Sequence, residues 1–270
     1  MRITLIGVLA LALSAELNAQ EPPPPSPWNV TVGAAGLVFP RYPGSDEYRV
    51  LPFPMVQATF RGRIFLGPSP TGLGFGLGAY AIRTRKLGLA VEVGGQDSRP
   101  ASRADALAGL EDRDGVGTAG ASLSYRAGPL EGAVGVTKGL NDGAGVLGSA
   151  RVSLSRTLGR LMIAASTVAV VADGKQMRRE FGVTDAEAGR RRVLIAAGDD
   201  RLDPEDGNAY RPDGGLRHVG ASVSLMYGLS PRWSLIGFGG VDRLSNEAAA
   251  SPLVRRREQF SGGIGLGYRL

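Results

Sequence analysis

The sequence predicts an all-β protein, a closed antiparallel transmembrane barrel of about twelve strands with about ten as the alternative count. Three observations predict it. Apolar and polar residues alternate with period two in segment after segment, which is strand geometry with two unlike faces. The less apolar face is built from Gly, Ser and Ala: Gly makes up 41 of 270 residues and aromatics only 6%. The connections between segments alternate between short and long. Short turns on one side and long loops on the other are the mark of an outer-membrane barrel, with its apolar face on lipid and its polar face on a wet lumen.

Residues 1–19 read as a secretory signal peptide: Arg2, the apolar run Ile3–Ala15, and a cleavage site after Ala19. That run is shorter than the ~20 apolar residues a membrane helix needs. Residues 20–27, "QEPPPPSP", form an extended Pro-rich tether. Residues 28–270 form the barrel, with a long loop at about 172–216.

The strands follow in order. Trp28–Phe39 and Val50–Phe60 flank the long "PRYPGSDEYR", and Arg63–Leu66 is short because Gly67-Pro68 ends it. Gly72–Ile82 and Leu87–Gly94 are joined by "RTRK". Val116–Ala127 and Leu130–Thr137 are joined by Gly128-Pro129. Val146–Arg156 and Leu161–Val171 precede the long loop. Arg217–Gly228 alternates most cleanly, with Val219, Ala221, Val223, Leu225 and Tyr227 on one face and His218, Gly220, Ser222 and Ser224 on the other. "LSPR" leads to Trp233–Arg243, and Gln259–Leu270 closes the chain, with Ile264, Leu266, Tyr268 and Leu270 alternating with Gly263, Gly265, Gly267 and Arg269. This order puts both ends of the barrel on the short-turn, periplasmic side. A soluble β-sandwich would need larger inward side chains than these.

The formal charge is +6, but the arginines are scattered through loops without interleaved aromatics, which argues against a nucleic-acid partner. Cysteine is absent, which leaves no disulfide and no lipidation site. "GVGTAG", Gly115–Gly120, matches a dinucleotide fingerprint only in letters, because a charged loop precedes it and a period-two strand follows. The glycines are read as permitting close approach inside the barrel. His218, the single histidine, shares a face with Ser222 but lies roughly 13 Å away along an extended strand, too far for a nucleophile–base pair. The acidic run Gly198–Gly207, with Asp199, Asp200, Asp203, Glu205 and Asp206, lacks EF-hand spacing and reads as a solvated loop balanced by Arg190, Arg191 and Arg192. No catalytic, cofactor-binding or metal-binding residue is assigned, and no cofactor is expected.

Two stretches carry a family resemblance. Val32–Leu66 contains Pro40, Tyr42, Gly44 and Ser45 followed by Pro52 and Pro54; "FGVTDAEA" (Phe181–Ala188) through "GIGLGYRL" contains Gly215, Trp233, Arg243-Leu244, Ser251-Pro252 and Tyr268. These resemble the MltA-interacting protein (MipA/OmpV) family of Gram-negative bacteria. Two features depart from it: Arg190–Ala209 lengthens the loop, and the chain ends in Leu270 rather than Phe. The resemblance implies a non-enzymatic outer-membrane barrel in contact with lipid and lipopolysaccharide. It implies an adaptor for a periplasmic murein lytic transglycosylase and a murein synthase, with a narrow porin-like channel as the alternative. The long loop, through "VLIAAG" (Val193–Gly198), is expected to pack on the lumen wall as a plug.

Overall fold

A computed structural model describes residues 26–270; the signal-peptide reading and most of the tether lie outside the described residues. Twelve antiparallel strands close into a barrel in simple sequential order, β1 pairing with β12 from Thr31↔Arg269 to Val38↔Gly262. They are β1 (Trp28–Pro40), β2 (Tyr48–Phe60), β3 (Ile64–Pro68), β4 (Phe75–Arg83), β5 (Leu87–Gln96) and β6 (Val116–Ala127), then β7 (Leu130–Gly139), β8 (Val146–Leu158), β9 (Leu161–Ala172), β10 (Gly215–Gly228), β11 (Trp233–Leu244) and β12 (Glu258–Arg269). Three short helices lie in the long outer loops: α1 (Gly174–Phe181), α2 (Asp185–Ala196) and α3 (Asn246–Ala249). None of the described helices is long and apolar enough to cross a membrane. The strands do the crossing.

Closure follows from the backbone. In hydrocarbon an open sheet edge would leave N–H and C=O groups without partners, so a membrane sheet must close on itself. Side-chain alternation then decides which face meets lipid. Along β10, Val219, Ala221, Val223, Leu225 and Tyr227 are exposed, while His218 is buried and Gly220, Ser222 and Ser224 are sheltered inside. β12 repeats this, with Ile264 and Leu266 outside and Gly265 and Gly267 buried. An aromatic belt marks the short-turn end: Trp28 stacks on Phe60 (4.7 Å between centroids), Trp233 on Tyr268 (4.9 Å), with Tyr125 and Tyr227 exposed beside them. Such belts sit at the membrane–water interface. The protein is a closed barrel with a lipid-facing outer surface, its short turns at the belted end.

All twelve strands lie where the sequence expectation puts them, most bounds differing by one or two residues, and at β3 and β4 the difference has a structural cause. β3 runs from Ile64 to Pro68 rather than Arg63–Leu66, and β4 starts at Phe75 rather than Gly72. The cause is the intervening "SPTGLG", 69–74, which turns into the lumen and does not extend the hairpin.

Arginine introduced at Leu123, Val223 or Leu225, all exposed on the lipid face, is expected to cost about 2–4 kcal/mol near the bilayer midplane. Heat-modifiable gel migration after refolding would measure it. Ser224→Arg should be tolerated; Ser122→Arg should not, because Ser122 is buried in a packed part of the lumen. Equal damage at Ser224 and Val223 would contradict the assignment of faces.

Candidate functional site

The interior is shaped by two elements, a loop folded in from the wall and a lid over the outer mouth. The loop is residues 69–74. Pro68 and Pro70 cannot donate to a continuing ladder, and Gly72 adopts φ 78°, so the chain leaves the sheet here. The turn is closed by Gly72 N–H donating to the Ser69 carbonyl (3.0 Å) and Ser69 N–H donating to the Gly74 carbonyl (2.8 Å). Once inside, it is tied to β5 beside it and to β8 further round the wall. The Thr71 hydroxyl donates to Glu92 Oε1 (3.1 Å), Ser69 also bonds Glu92, and Ser149 Oγ donates to the Thr71 carbonyl (2.6 Å). Arg151 reaches the Pro70 carbonyl at 3.4 Å. Gly135 on β7 makes this crossing possible: a Cβ there would lie 2.8 Å from the Thr71 side chain. Gly120, from the "GVGTAG" motif, serves a similar close approach, since its Cβ would meet Thr137 Oγ1 at 3.1 Å and Glu92 Oε1 at 3.3 Å.

The lid is built from the outer loops. Asp173 caps α1 by accepting from Gln176 N–H (2.8 Å), and the helix drops Met177 and Phe181 into the barrel mouth. Both are fully buried against Leu147, Val170 and Ala172 of the wall, Leu244 at the end of β11, and Ala248 of α3. Ser251 Oγ donates to the Phe181 carbonyl (2.6 Å) and pins the helix end. A second core above it joins Tyr42, Leu107, Leu110, Val183, Ala188 and Leu253 from four separate outer loops. Tyr42 donates its hydroxyl to the Leu253 carbonyl (2.9 Å), and burial pushes its pKa up to about 12.

α2 begins with a capping box, in which Thr184 accepts from Glu187 N–H and Glu187 accepts from Thr184 N–H (2.9 Å). Glu187 is fully buried. Burial alone would raise its pKa, but donors from Thr184, Glu111 N–H (3.1 Å) and Arg113 (3.1 Å) outweigh it and hold the carboxyl below its usual range. One turn on, Arg191 is fully buried. It donates to the carbonyls of Asp206 (2.6 Å), Ala106 (2.9 Å) and Ala108 (3.1 Å), and its Nη2 lies 3.3 Å from Asp206 Oδ1. Arg255 clamps the other side of the same carboxylate. Burial lowers the Arg191 pKa while Asp206 opposes the shift.

This corrects two expectations. The acidic run is a solvated loop only in part: Asp200, Asp203 and Glu205 are exposed and Asp199 pairs with the exposed Arg201, but Asp206 is buried between Arg191 and Arg255. The Arg190–Ala209 segment is not the plug. Its helical part packs over the mouth, on the loop at 97–115 and back on residues 204–207 of the same segment, while α1 occupies the mouth itself. Among the described residues no three His, Asp or Glu side chains converge in a metal-binding group. His218 and Ser222 share the lumen face but take different partners. His218 Nδ1 lies 2.6 Å from Arg217 and Nε2 3.9 Å from Asp242, whereas Ser222 bonds Ser166 at 2.9 Å. The arrangement holds structure; it does not set a nucleophile beside a base.

The profile of the family described as MltA-interacting protein MipA matches residues 32–270. Among curated proteins none matches the chain. Among solved structures the chain is similar to the NanC porin (8% identity, TM-score 0.45, covering 88% of this chain and 100% of that one). It is similar also to OmpT of Vibrio cholerae (8%, 0.35, 91% and 98%) and to the N-terminal barrel domain of Pseudomonas aeruginosa OprF (11%, 0.25, 57% and 88%).

Proposed function

The chain belongs to the MltA-interacting protein MipA family, and from that premise we propose that it is a non-enzymatic adaptor that holds murein-cleaving and murein-synthesising enzymes at the periplasmic face of the outer membrane. The observation that carries this reading is the charge of the periplasmic rim. Arg61 and Arg63 lie at the β2–β3 turn, and Arg83, Arg85 and Lys86 at the β4–β5 turn. Arg126 precedes the β6–β7 turn, Arg156 and Arg160 flank the end of β8, Arg232 precedes β11, and Arg269 ends β12. All ten are exposed, and Glu131, paired with Arg126 at 2.5 Å, is the one acidic side chain among them in the described residues. These ten bases, scattered along the sequence, are brought by the topology to one end of the barrel. A surface of one sign steers an oppositely charged partner and fixes its orientation. The family name supplies the candidate partner class.

Replacing Arg83, Arg85 and Lys86 together with Glu should sharply reduce capture of a purified murein lytic transglycosylase, and raised salt should reduce capture by the unaltered protein. Heat-modifiable migration of the variant would show that the barrel is intact. Undiminished capture by a folded variant would overturn the rim as the docking face. A narrow solute channel is the second reading, favoured by the inward loop at 69–74, which constricts a lumen without filling it by itself. Steady conductance of the unaltered protein in planar bilayers would favour that reading over the adaptor.

A further inference from the structure

The barrel wall is incomplete. β2 pairs with β1 along all 13 of its residues, Tyr48 to Phe60, but with β3 only at Ala58–Phe60. The β3–β4 hairpin stops at the Pro68↔Phe75 pair, and β4 meets β5 no higher than Gly76↔Gly94. Above that level the chain has turned into the lumen. On the side away from β1, Tyr48–Met55 therefore have no paired strand among the described residues, and the outer half of the wall carries a notch where β3 and β4 fall short. Arg49 bonded to Asp97 (3.2 Å), with Arg103 on the same carboxylate (3.0 Å), bridges the top of the notch like a lintel.

The open edge carries prolines at the positions that face the gap. In a strand the N–H and C=O of one residue point to the same side, and the side alternates with each residue. The Phe60 carbonyl accepts from Arg63 N–H (2.9 Å), so even-numbered β2 residues direct their polar groups to the gap. Pro52 and Pro54 share that parity and have no N–H to leave unpaired in hydrocarbon. The same two residues cannot donate to an added strand, which excludes a strand of a second copy as the occupant. Val50 (74% exposed) and Val56 (42%) turn apolar side chains outward beside them, so the notch opens on the acyl region of the bilayer. On the inward face of β2 at this height stand Leu51, Phe53 and Met55, only partly buried.

We propose that this notch is a lateral port that admits an alkyl chain from the outer-membrane bilayer into the space behind β2. Leu51, Phe53 and Met55 give the inner side of the notch an apolar, partly exposed lining that matches an alkyl chain, and Pro52 and Pro54 lower the number of unpaired N–H groups along its edge. The binding class is a lipid acyl chain, with its head group held outside at the level of Arg49 and Asp97.

The unaltered full-length protein, reconstituted in vesicles, can be photolabelled with two probes. One is a free fatty acid with a diazirine near its end; the other is a phosphatidylethanolamine with the same photoactive chain. Labelling on Leu51, Phe53 or Met55 several-fold above that on the inward Ser222 and Ser224 is expected. Labelling by the fatty acid alone would identify a free chain as the guest, and labelling by both probes a chain still attached to a bilayer lipid. Label confined to outward residues such as Val50 and Val223, or spread evenly over inward residues, would overturn the proposal. Because the chain contains no cysteine, Met55→Cys gives an independent reading. It should react faster with a lipid-tethered maleimide than with a water-soluble one, and the reverse order would mean a water-filled notch and sink the port.

Discussion

Replacing Arg191 with alanine is expected to release the lid, weakening its closed state by about 3–5 kcal/mol, the usual cost of removing one partner of a buried ion pair. The reasoning rests on what is left behind. Asp206 would keep Arg255, but the Ala106 and Ala108 carbonyls would lose a buried donor, and the cavity of a fully buried guanidinium would open beneath α2. Arg191→Lys should recover only part of the loss, because one ammonium cannot reproduce the planar fork that reaches three carbonyls. Hydrogen exchange over residues 174–214 measures the effect directly. Alanine at position 191 should raise exchange over residues 184–209 without touching the strands or α1, since that part of the lid packs on its own hydrophobic core and α1 on another. Arg201→Ala, which removes an exposed partner of Asp199, should leave exchange unchanged. Equal exchange in the Arg191→Ala variant and the unaltered protein would mean that the loop contacts, not this ion pair, hold the lid shut.

The contrast between Arg191 and Val223 shows what was legible in the sequence. Which strand residues face lipid depends on a period of two and on neighbours along one strand, so Val219, Val223 and Leu225 could be placed outside from the string alone. Arg191 sits in a run of three arginines, and only the packing of loops distant in sequence makes its neighbours solvent-facing and itself fully buried. One signal was available: Thr184-Asp-Ala-Glu187 is a capping box, so "VTDAEAGRRRVLIAAG" opens a helix with distinct faces and is not an irregular solvated loop. The inward loop had a weaker signal. Gly67-Pro-Ser-Pro announces that a strand stops, but not that the chain turns into the lumen instead of out to solvent. That direction is decided by Glu92, Gly135 and Ser149 on strands 20 or more residues away in sequence. The basic rim was hidden for the same reason: five separate turns converge only when the barrel closes.

The element that seals the outer mouth can be identified by opening it. α1 has only 8 residues, well below the ~12–15 at which an isolated helix becomes marginally stable. It is held by packing, and the packing is concentrated in two side chains, Met177 and Phe181. Truncating both to alanine should cost several kcal/mol, about 2–5 for a buried Met and about 3–5 for a buried Phe, which exceeds what the Asp173 cap can hold. The double variant should therefore show conductance steps in planar bilayers where the unaltered protein is silent. Deleting Arg190–Ala209 should not, because that deletion removes the roof of the lid and leaves every residue of the α1 cluster in place. The steps should be small, since the loop at 69–74 still crosses the lumen between β5, β7 and β8. A deletion variant that conducts as freely as the double alanine variant would return the plug to the inserted segment. A folded double variant that stays silent would move the seal inward, to the Thr71–Ser149 contact and the loop that carries it.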